Sequence, residues 1–464
     1  MRTNISFDFG NLILIKEIDH RFKFFDSLLD KISGKTKHLK QSAKLFTYNK
    51  LSKCVSVNRI TDVYQDELFE CLGFKSKPAE RTLYRDLERI GDKSTFIINR
   101  YQRLIKGENL ISDEQFVDFS SSYFEGNKAE LGELGYSRDH QPGKKQITWG
   151  ISTGINEIPT ALTIQKGNVQ DKTHMKSMIH LADKVLDKES ILIFDCGGNT
   201  KANKQMIRKK GLHYLTLKQK QRAIYRKYIE IFSKGEKKIF SMNNREYSCV
   251  VVREDEDNKY MFFSNKLKEE QVKKRKKKFE RTLKNNETVL KKVKEGKTII
   301  KYLSREGNIH AKGSLQTTLG EQPNPFITGL EGYFILESSV DTEPEKVLGL
   351  YKNKDKAEKL IRDMKEGTEL RPIRHWSKKA IVGYLVIVFL TNCLIKLTQF
   401  LNKNAVVKNV KLLKKYLTNL TVTFIYPKNS FRYTVLSNIS EEILGILGDS
   451  LKKYAEKPPD WVEK

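Results

Sequence analysis

The spacing of apolar positions changes near residues 110, 220 and 328, dividing the chain into stretches of different character. Up to about 110 the apolar residues recur at helical spacing. "ITDVYQDELFECLGF" places Val63, Leu68, Phe69 and Leu72 on one side. "SKPAERTLYRDLERIG" follows, with Ser76 placed as a helix cap and Pro78 in the first turn. The pair reads as a helix-turn-helix with Arg81, Thr82, Tyr84 and Arg85 facing outward, or as an ordinary helical hairpin. After 112, "QFVDFSS", "KQITWGIST" and "IPTALTIQKGN" are short runs rich in β-branched and aromatic residues, separated by Gly, Asn and Pro. They predict three consecutive strands. "THMKSMIHLADKVLD" predicts an amphipathic helix. The continuous apolar run Ile191–Phe194, ending in Asp195 and a Gly pair, predicts a strand buried on both faces. A helix over "KANKQMIRKKG" and a strand over "LHYLTLK" complete an α/β core with mixed pairing.

Residues from about 220 to 328 interrupt that core. "EYSCVVVRE" and "KYMFFSNK" flank the turn "DEDN" and predict a hairpin. A long basic stretch, "KLKEEQVKKRKKKFERTLKNNETVLKKVKEGK", predicts a helix. "YFILESS" (Tyr333–Ser339) predicts the strand that returns to the core, and a charged helix follows from about Glu343. With roughly 100° per residue, Tyr351, Lys354, Glu358 and Lys365 fall within an arc of about 60°. They form a polar stripe beside the apolar arc of Ala357, Leu360, Ile361 and Met364. By itself such a stripe describes a solvated helix face with stabilising ion pairs. Ala380–Leu397 is apolar enough for a membrane span, but Gly383, Thr391, Asn392 and Lys396 interrupt it, and it reads as a buried core helix. The tail beyond about 405 carries helical and strand-like pieces without a clear place.

Charge narrows the class of partner. Among 464 residues, 86 are Lys or Arg against 57 Asp or Glu, a formal net charge of +29. Phosphate binding by counterion release uses many dispersed cations, so nucleic acid is the expected partner. With 38% hydrophobic residues the chain still has material for a core. Five scattered cysteines, without a CxxC pair, fit a reducing compartment. The N-terminus has no basic start followed by an unbroken apolar run, so no signal peptide is expected.

Three carboxylates sit where an α/β core can gather them. Asp118 lies within the first strand, Asp195 at the end of the buried strand, and Glu358 on the polar stripe. Carboxylates so gathered can hold two divalent ions about 4 Å apart, which stabilise the attacking and leaving oxygens of an in-line phosphoryl displacement. Hard oxygen ligands favour Mg²⁺ or Mn²⁺.

The spacing Tyr351-x2-Lys354-x3-Glu358-x6-Lys365 resembles the Tyr-Arg-Glu-Lys signature of DDE transposases in the insertion-sequence-four superfamily. The resemblance runs from about 112 to 400. It takes in "VDFSSSYFEG", "GYSRDHQPGKKQ", "GNVQD", "IFDCGGNT" and "ELRPIRHWSKKAIVGYL". It implies an RNase H-like mixed-sheet core, an inserted β-rich and helical domain, and an α-helical N-terminal DNA-binding region. The expected divisions are 1–110, 111–219, 220–328, 329–404 and 405–464. It implies Asp118, Asp195 and Glu358 as catalytic, metal-binding residues with two Mg²⁺ or Mn²⁺ ions. Tyr351, Lys354 and Lys365 are implied to touch DNA near the cleavage site, with Arg81, Tyr84 and Arg85 at the recognition helix. Gly167, Asn168 and Asp171 match a motif read as structural support.

The function implied is prokaryotic cut-and-paste transposition: metal-dependent hydrolysis at element ends, then strand transfer by the freed 3′-hydroxyl. Partners would be double-stranded DNA and a second copy in the synaptic complex, without a membrane, in the cytoplasm near the nucleoid. The alternatives are a transposase-derived DNA-binding protein that no longer cuts and an RNase H-like nuclease without strand transfer. Three departures stand out: Lys354 replaces the signature Arg, Cys196 follows the second Asp, and Phe119 follows the first. Lys is a point charge and lacks the bidentate fork of Arg. A thiolate is a poor partner for Mg²⁺, so Cys196 reads as a packing residue.

Overall fold

In a computed structural model, the described residues are 4–33, 38–295, 300–303, 309–311, 326–402, 409–426, 433–448 and 450–451. The chain opens with strand β1 (Ile5–Asp8) and helices α1 (Gly10–Phe22), α2 (Phe24–Ser33) and α3 (Leu39–Leu51). The expected helical pair follows in altered form. Its first half is split into α4 (Ile60–Val63) and α5 (Asp66–Cys71), with extended Tyr64 and Gln65 between them. Its second half, α6 (Glu80–Asp92), starts after Ala79, so Ser76 and Pro78 precede the helix and neither caps it nor lies in its first turn. Helix α7 (Ser94–Gly107) leads to strands β2 (Glu114–Tyr123), β3 (Gln146–Gly154) and β4 (Pro159–Lys166). Then come α8 (Asp171–Ala182), β5 (Ile191–Phe194), α9 (Lys201–Lys209), β6 (His213–Leu217) and α10 (Arg222–Lys234). Strands β7 (Lys238–Met242), β8 (Arg245–Glu254) and β9 (Asp257–Phe263) precede α11 (Asn265–Lys294) and the short pair β10 (Ile300–Leu303) and β11 (Ile309–Ala311). The remainder is β12 (Tyr333–Ser338), α12 (Pro344–Lys352), α13 (Asp355–Arg362), α14 (Lys378–Leu401), α15 (Val410–Asn419), β13 (Thr421–Ile425), β14 (Tyr433–Ser437) and α16 (Glu441–Leu447).

Contacts divide the chain differently from the expected boundaries. One compact unit comprises residues 1–212 with 352–464, and the other 213–351. The N-terminal helices and the tail therefore belong to the unit that holds Asp118, Asp195 and Glu358.

In the first unit β2 pairs antiparallel with β3, β3 antiparallel with β4, and β2 parallel with β5. All nine residues of β3 are buried, the polar Gln146, Thr148, Ser152 and Thr153 among them. Helices α7, α8 and α14 pack on β4, and α13 packs on β2 and β3. This is the mixed α/β sheet with flanking helices of an RNase H-like fold. The tail, unplaced by sequence pattern, supplies β13, which pairs with β1 and β14 in a second sheet.

Helix α14 is the central strut. It is long and apolar enough to span a bilayer, yet 89% of its most apolar window is buried in the fold. It crosses α6 at two glycines. A Cβ on Gly91 would lie 1.8 Å from the Lys379 carbonyl, and one on Gly383 would lie 2.1 Å from the Leu87 carbonyl. Only glycine permits two helix backbones to approach so closely. The inner face of α6 consequently buries Leu83, Asp86, Leu87 and Ile90. Asp86, whose carboxyl burial holds above the usual range, accepts a 2.5 Å hydrogen bond from Ser42 of α3.

The second unit carries β6, β12, β9, β8 and β7 in that order. The β8–β9 hairpin and β12 fall where their patterns predict, and β9 pairs directly with β12. The inserted hairpin thus extends the sheet that holds the returning strand. Helix α10 seals one face through Tyr225, Tyr228 and Phe232 against Val250, Met261 and Ile335. Helix α11 is solvated along most of its length, burying only Thr282 and Asn286 among its described side chains.

Candidate active site

Strand register brings the two aspartates together. In the parallel β2–β5 ladder Phe116 stands opposite Ile193. Continuing two residues on each strand puts Asp118 level with Asp195, one residue past the end of β5. Asp118 is held from its own strand, accepting a 2.9 Å bond at Oδ1 from the Phe119 amide. Phe119 itself packs where Gly150 leaves room on β3, and its ring lies 4.8 Å from that of buried His174. The unusual Phe119 is thus matched by a glycine across the ladder.

Glu358 comes from the first turn of α13, and Lys354 caps that helix. The expected continuous helix is broken at Asn353 and Lys354, a turn between α12 and α13. A π-helical turn over Asp363–Gly367 then alters the register again. The four signature residues therefore do not form one stripe. Lys354 and Glu358 remain one turn apart and paired at 3.1 Å, while Lys365 turns inward.

Lys354 occupies the centre of the carboxylate group. Its Nζ lies 3.0 Å from Asp195 Oδ2, 3.1 Å from Glu358 Oε1 and 3.8 Å from Asp118 Oδ1. The Lys354 side chain is 5% exposed, whereas those of Asp195 and Glu358 are 50% and 62% exposed. The cation thus lies beneath carboxylates that open to solvent. Burial works to lower the Lys354 pKa, but Asp118 and Asp195 outweigh it and hold the ammonium charged. Burial pushes Asp118 up to about 6, Lys354 opposes the rise, and Asp195 adds to it. At the signature Arg position Lys354 thus offers a single-point ammonium without the bidentate fork of a guanidinium.

Lys365 belongs to a second ion cluster. Its Nζ donates to Asp139 Oδ1 at 2.6 Å, and Arg371 donates to the same oxygen. The Lys365 and Asp139 side chains are 8% and 1% exposed. Burial lowers the Lys365 pKa, and Asp139 opposes that shift. Beside it, Arg138 pairs with Asp171 at 2.5 Å. Sequence reasoning gave no role to Asp139, Arg138 or Arg371, although they lie in "GYSRDHQPGKKQ" and "ELRPIRHW". Gly167 has the structural role expected: a Cβ there would meet the Gln146 carbonyl at 1.9 Å.

The other named residues lie elsewhere. Tyr351 is half-buried near the end of α12 and belongs to the second unit. Arg81 and Arg85 are exposed on α6, whereas Tyr84 is half-buried with its ring centroid 6.3 Å from that of His375. The Cys196 thiol is pushed up by burial and by Asp195, so it stays protonated and fits the packing role.

Two acidic strand positions at one level, joined by a helix glutamate on an RNase H-like sheet, define the DDE class of acidic sites. The comparison with known families agrees: residues 112–394 match the family described as "Transposase DDE domain". That match spans more than half the chain, which belongs to this family, the DDE transposases of the insertion-sequence-four superfamily. No curated protein matches the chain. Among solved structures, one is a piggyBac transposase synaptic complex with hairpin DNA, determined by cryo-electron microscopy. It is 10% identical with a TM-score of 0.44, covering 97% of this chain and 82% of that one.

Proposed function

We propose that the protein is an active transposase that binds the ends of its own element, hydrolyses a phosphodiester there and transfers the freed 3′-hydroxyl to target DNA. The observation that supports this most is the convergence of Asp118, Asp195 and Glu358, from three distant segments, around one cationic centre. The donor set fits divalent metal: three carboxylates, hard oxygen donors, already surround the positive charge of Lys354. Asp118, Asp195 and Glu358 would hold two Mg²⁺ or Mn²⁺ ions, which supply charge stabilisation to the attacking and leaving oxygens when bound. Among the described residues no group of three His, Cys, Asp or Glu side chains stands arranged as a metal cluster. Movement of Lys354 and its partners is therefore part of this reading.

The chain's own residues do the rest. β2 and β5 fix the two aspartates at one level, and the first turn of α13 brings in Glu358 from the side. DNA would be drawn in by the dispersed cations, including exposed Lys273, Lys274, Lys276 and Lys277 on α11. Arg81 and Arg85, exposed on α6, would meet element ends. Two copies would pair two ends in a synaptic complex, in the cytoplasm of a prokaryotic cell.

The test is cleavage of duplex DNA bearing the sequences that flank the gene, with Mg²⁺ present. Strand-specific cuts at an inverted repeat, followed by joining to a second DNA, are expected. Binding to those ends with no cut under any divalent metal would turn the reading to a DNA-binding protein that no longer cleaves. Cutting without joining would turn it to a nuclease.

A further inference from the structure

Lys354 lies where the positive charge of the site belongs, and its environment is unusual for a residue that contacts solvent-borne phosphate. The side chain is 5% exposed and rises from the turn between α12 and α13. Its ammonium meets one carboxylate from β2, one from the end of β5 and one from α13. Three such carboxylates with nothing among them repel one another strongly, because like charges a few ångströms apart interact across a partly desolvated site. One ammonium reduces the formal charge of the group from −3 to −2 and ties three elements to one point.

A divalent cation attracted by the same three carboxylates must enter against that ammonium. The two cannot share the nest at close range: the oxygens within reach of Nζ are those an incoming ion needs, and cation–cation repulsion grows as they approach. We propose that Lys354 is a resident counter-ion that competes with divalent metal for Asp118, Asp195 and Glu358, so that metal enters only as Lys354 swings out. This inference rests on the metal-dependent reading above and deepens it. It gives one residue two tasks. Lys354 keeps the acidic site assembled before metal arrives, and it sets the metal concentration at which the site loads.

Metal binding is measured on the full-length protein without DNA, by titration with Mn²⁺ followed by electron paramagnetic resonance. Lys354→Gln, which keeps most of the side-chain length without the charge, should bind Mn²⁺ at least about tenfold more tightly than wild type. Its melting temperature should fall below that of wild type in EDTA and rise by more on adding Mn²⁺. A second measurement uses wild type alone. Acetylation of Lys354 by acetic anhydride, read by peptide mass spectrometry, should be slow in EDTA and several-fold faster with Mn²⁺. Equal or weaker Mn²⁺ binding by Lys354→Gln, or labelling of Lys354 indifferent to Mn²⁺, would overturn the counter-ion role while leaving the metal-dependent reading in place. No Mn²⁺ binding by either protein would overturn both.

Discussion

Two ion clusters, around lysines eleven residues apart in the chain after β12, are charge opposites of one another. Around Lys354, one cation serves three carboxylates, of which Asp195 and Glu358 open to solvent while Asp118 is largely buried. Around Asp139, one carboxylate serves two cations, Lys365 and Arg371, and is itself closed off at 1% exposure. The first has excess negative charge and room to exchange its cation. The second has both its cations fixed within a buried network, where breaking one member leaves an unpaired charge. Two lysines of one sequence signature thus stand in different surroundings: Lys354 among carboxylates of which two are open to solvent, and Lys365 against a closed one. The shared motif gives no hint of this, because the π-helical turn at Asp363–Gly367 alters the register between the two residues.

The largest effects should come from the open cluster. Asp118→Ala, Asp195→Ala and Glu358→Ala should each lower single-turnover cleavage by roughly a thousandfold or more while end binding persists, since loss of charge stabilisation acts on the transition state. Near-normal cleavage by any of the three removes that residue from the site. The closed cluster should answer in stability. Asp139→Asn strands two cations and should cost about 3 kcal/mol in denaturant unfolding, whereas Lys365→Met leaves the Asp139–Arg371 pair and should cost roughly half as much. If Lys365→Met instead abolishes cleavage with unchanged stability, Lys365 acts on DNA and the contrast between the clusters collapses.

Against the Phe119 ring stands His174, fully buried with neither ring nitrogen hydrogen-bonded. Burial lowers its pKa to about 4, with Arg138 adding to the shift. The unfolded chain, titrating near 6.5, binds the proton first, so the stability this residue contributes at neutral pH is lost as pH falls from about 6.5 toward 4. At pH 5 the loss should be roughly 2 kcal/mol, and His174→Leu should flatten the decline seen in melts between pH 7 and 5. The smallest effect belongs to Glu366, half-exposed, paired with Lys411 at 3.1 Å and more loosely with Arg371 at 3.7 Å. Glu366→Ala should change stability by less than about 1 kcal/mol and cleavage by less than twofold, and a large change would show that the closed network extends outward to the surface.

Much of the core was legible because each element carries its own local signal. The alternating and continuous apolar runs of β2, β3, β4 and β5 located the strands, and Asp118 and Asp195 followed from their places on them. The break before α13 was not legible: Asn353 and Lys354 include neither Gly nor Pro, and the helical wheel passes through them without interruption. The Asp139–Lys365 pair joins residues 226 apart, a tertiary contact that no local period encodes. The tail was opaque for the same reason, since β13 becomes a strand by pairing with β1 at the opposite end of the chain. The expectation that residues 1–110 form a separate region also assumed that a change of period marks a domain boundary. Here α3 and α6 pack on α14, so helices on both sides of that change share one compact unit.

The glycine crossing of α6 and α14 bears on how such a protein diversifies. A DNA-reading segment joined by a linker can be exchanged between relatives as a cassette. Here the helix carrying Arg81 and Arg85 is seated backbone to backbone on the helix that braces β4. A transplanted segment would have to bring its own small residue at Gly91 and meet one at Gly383. Chimaeras spliced near residue 110 are therefore expected to be insoluble unless α14 travels with the graft, and, on the role proposed for Arg81 and Arg85, new end specificity would arise by point changes on the outer face of α6.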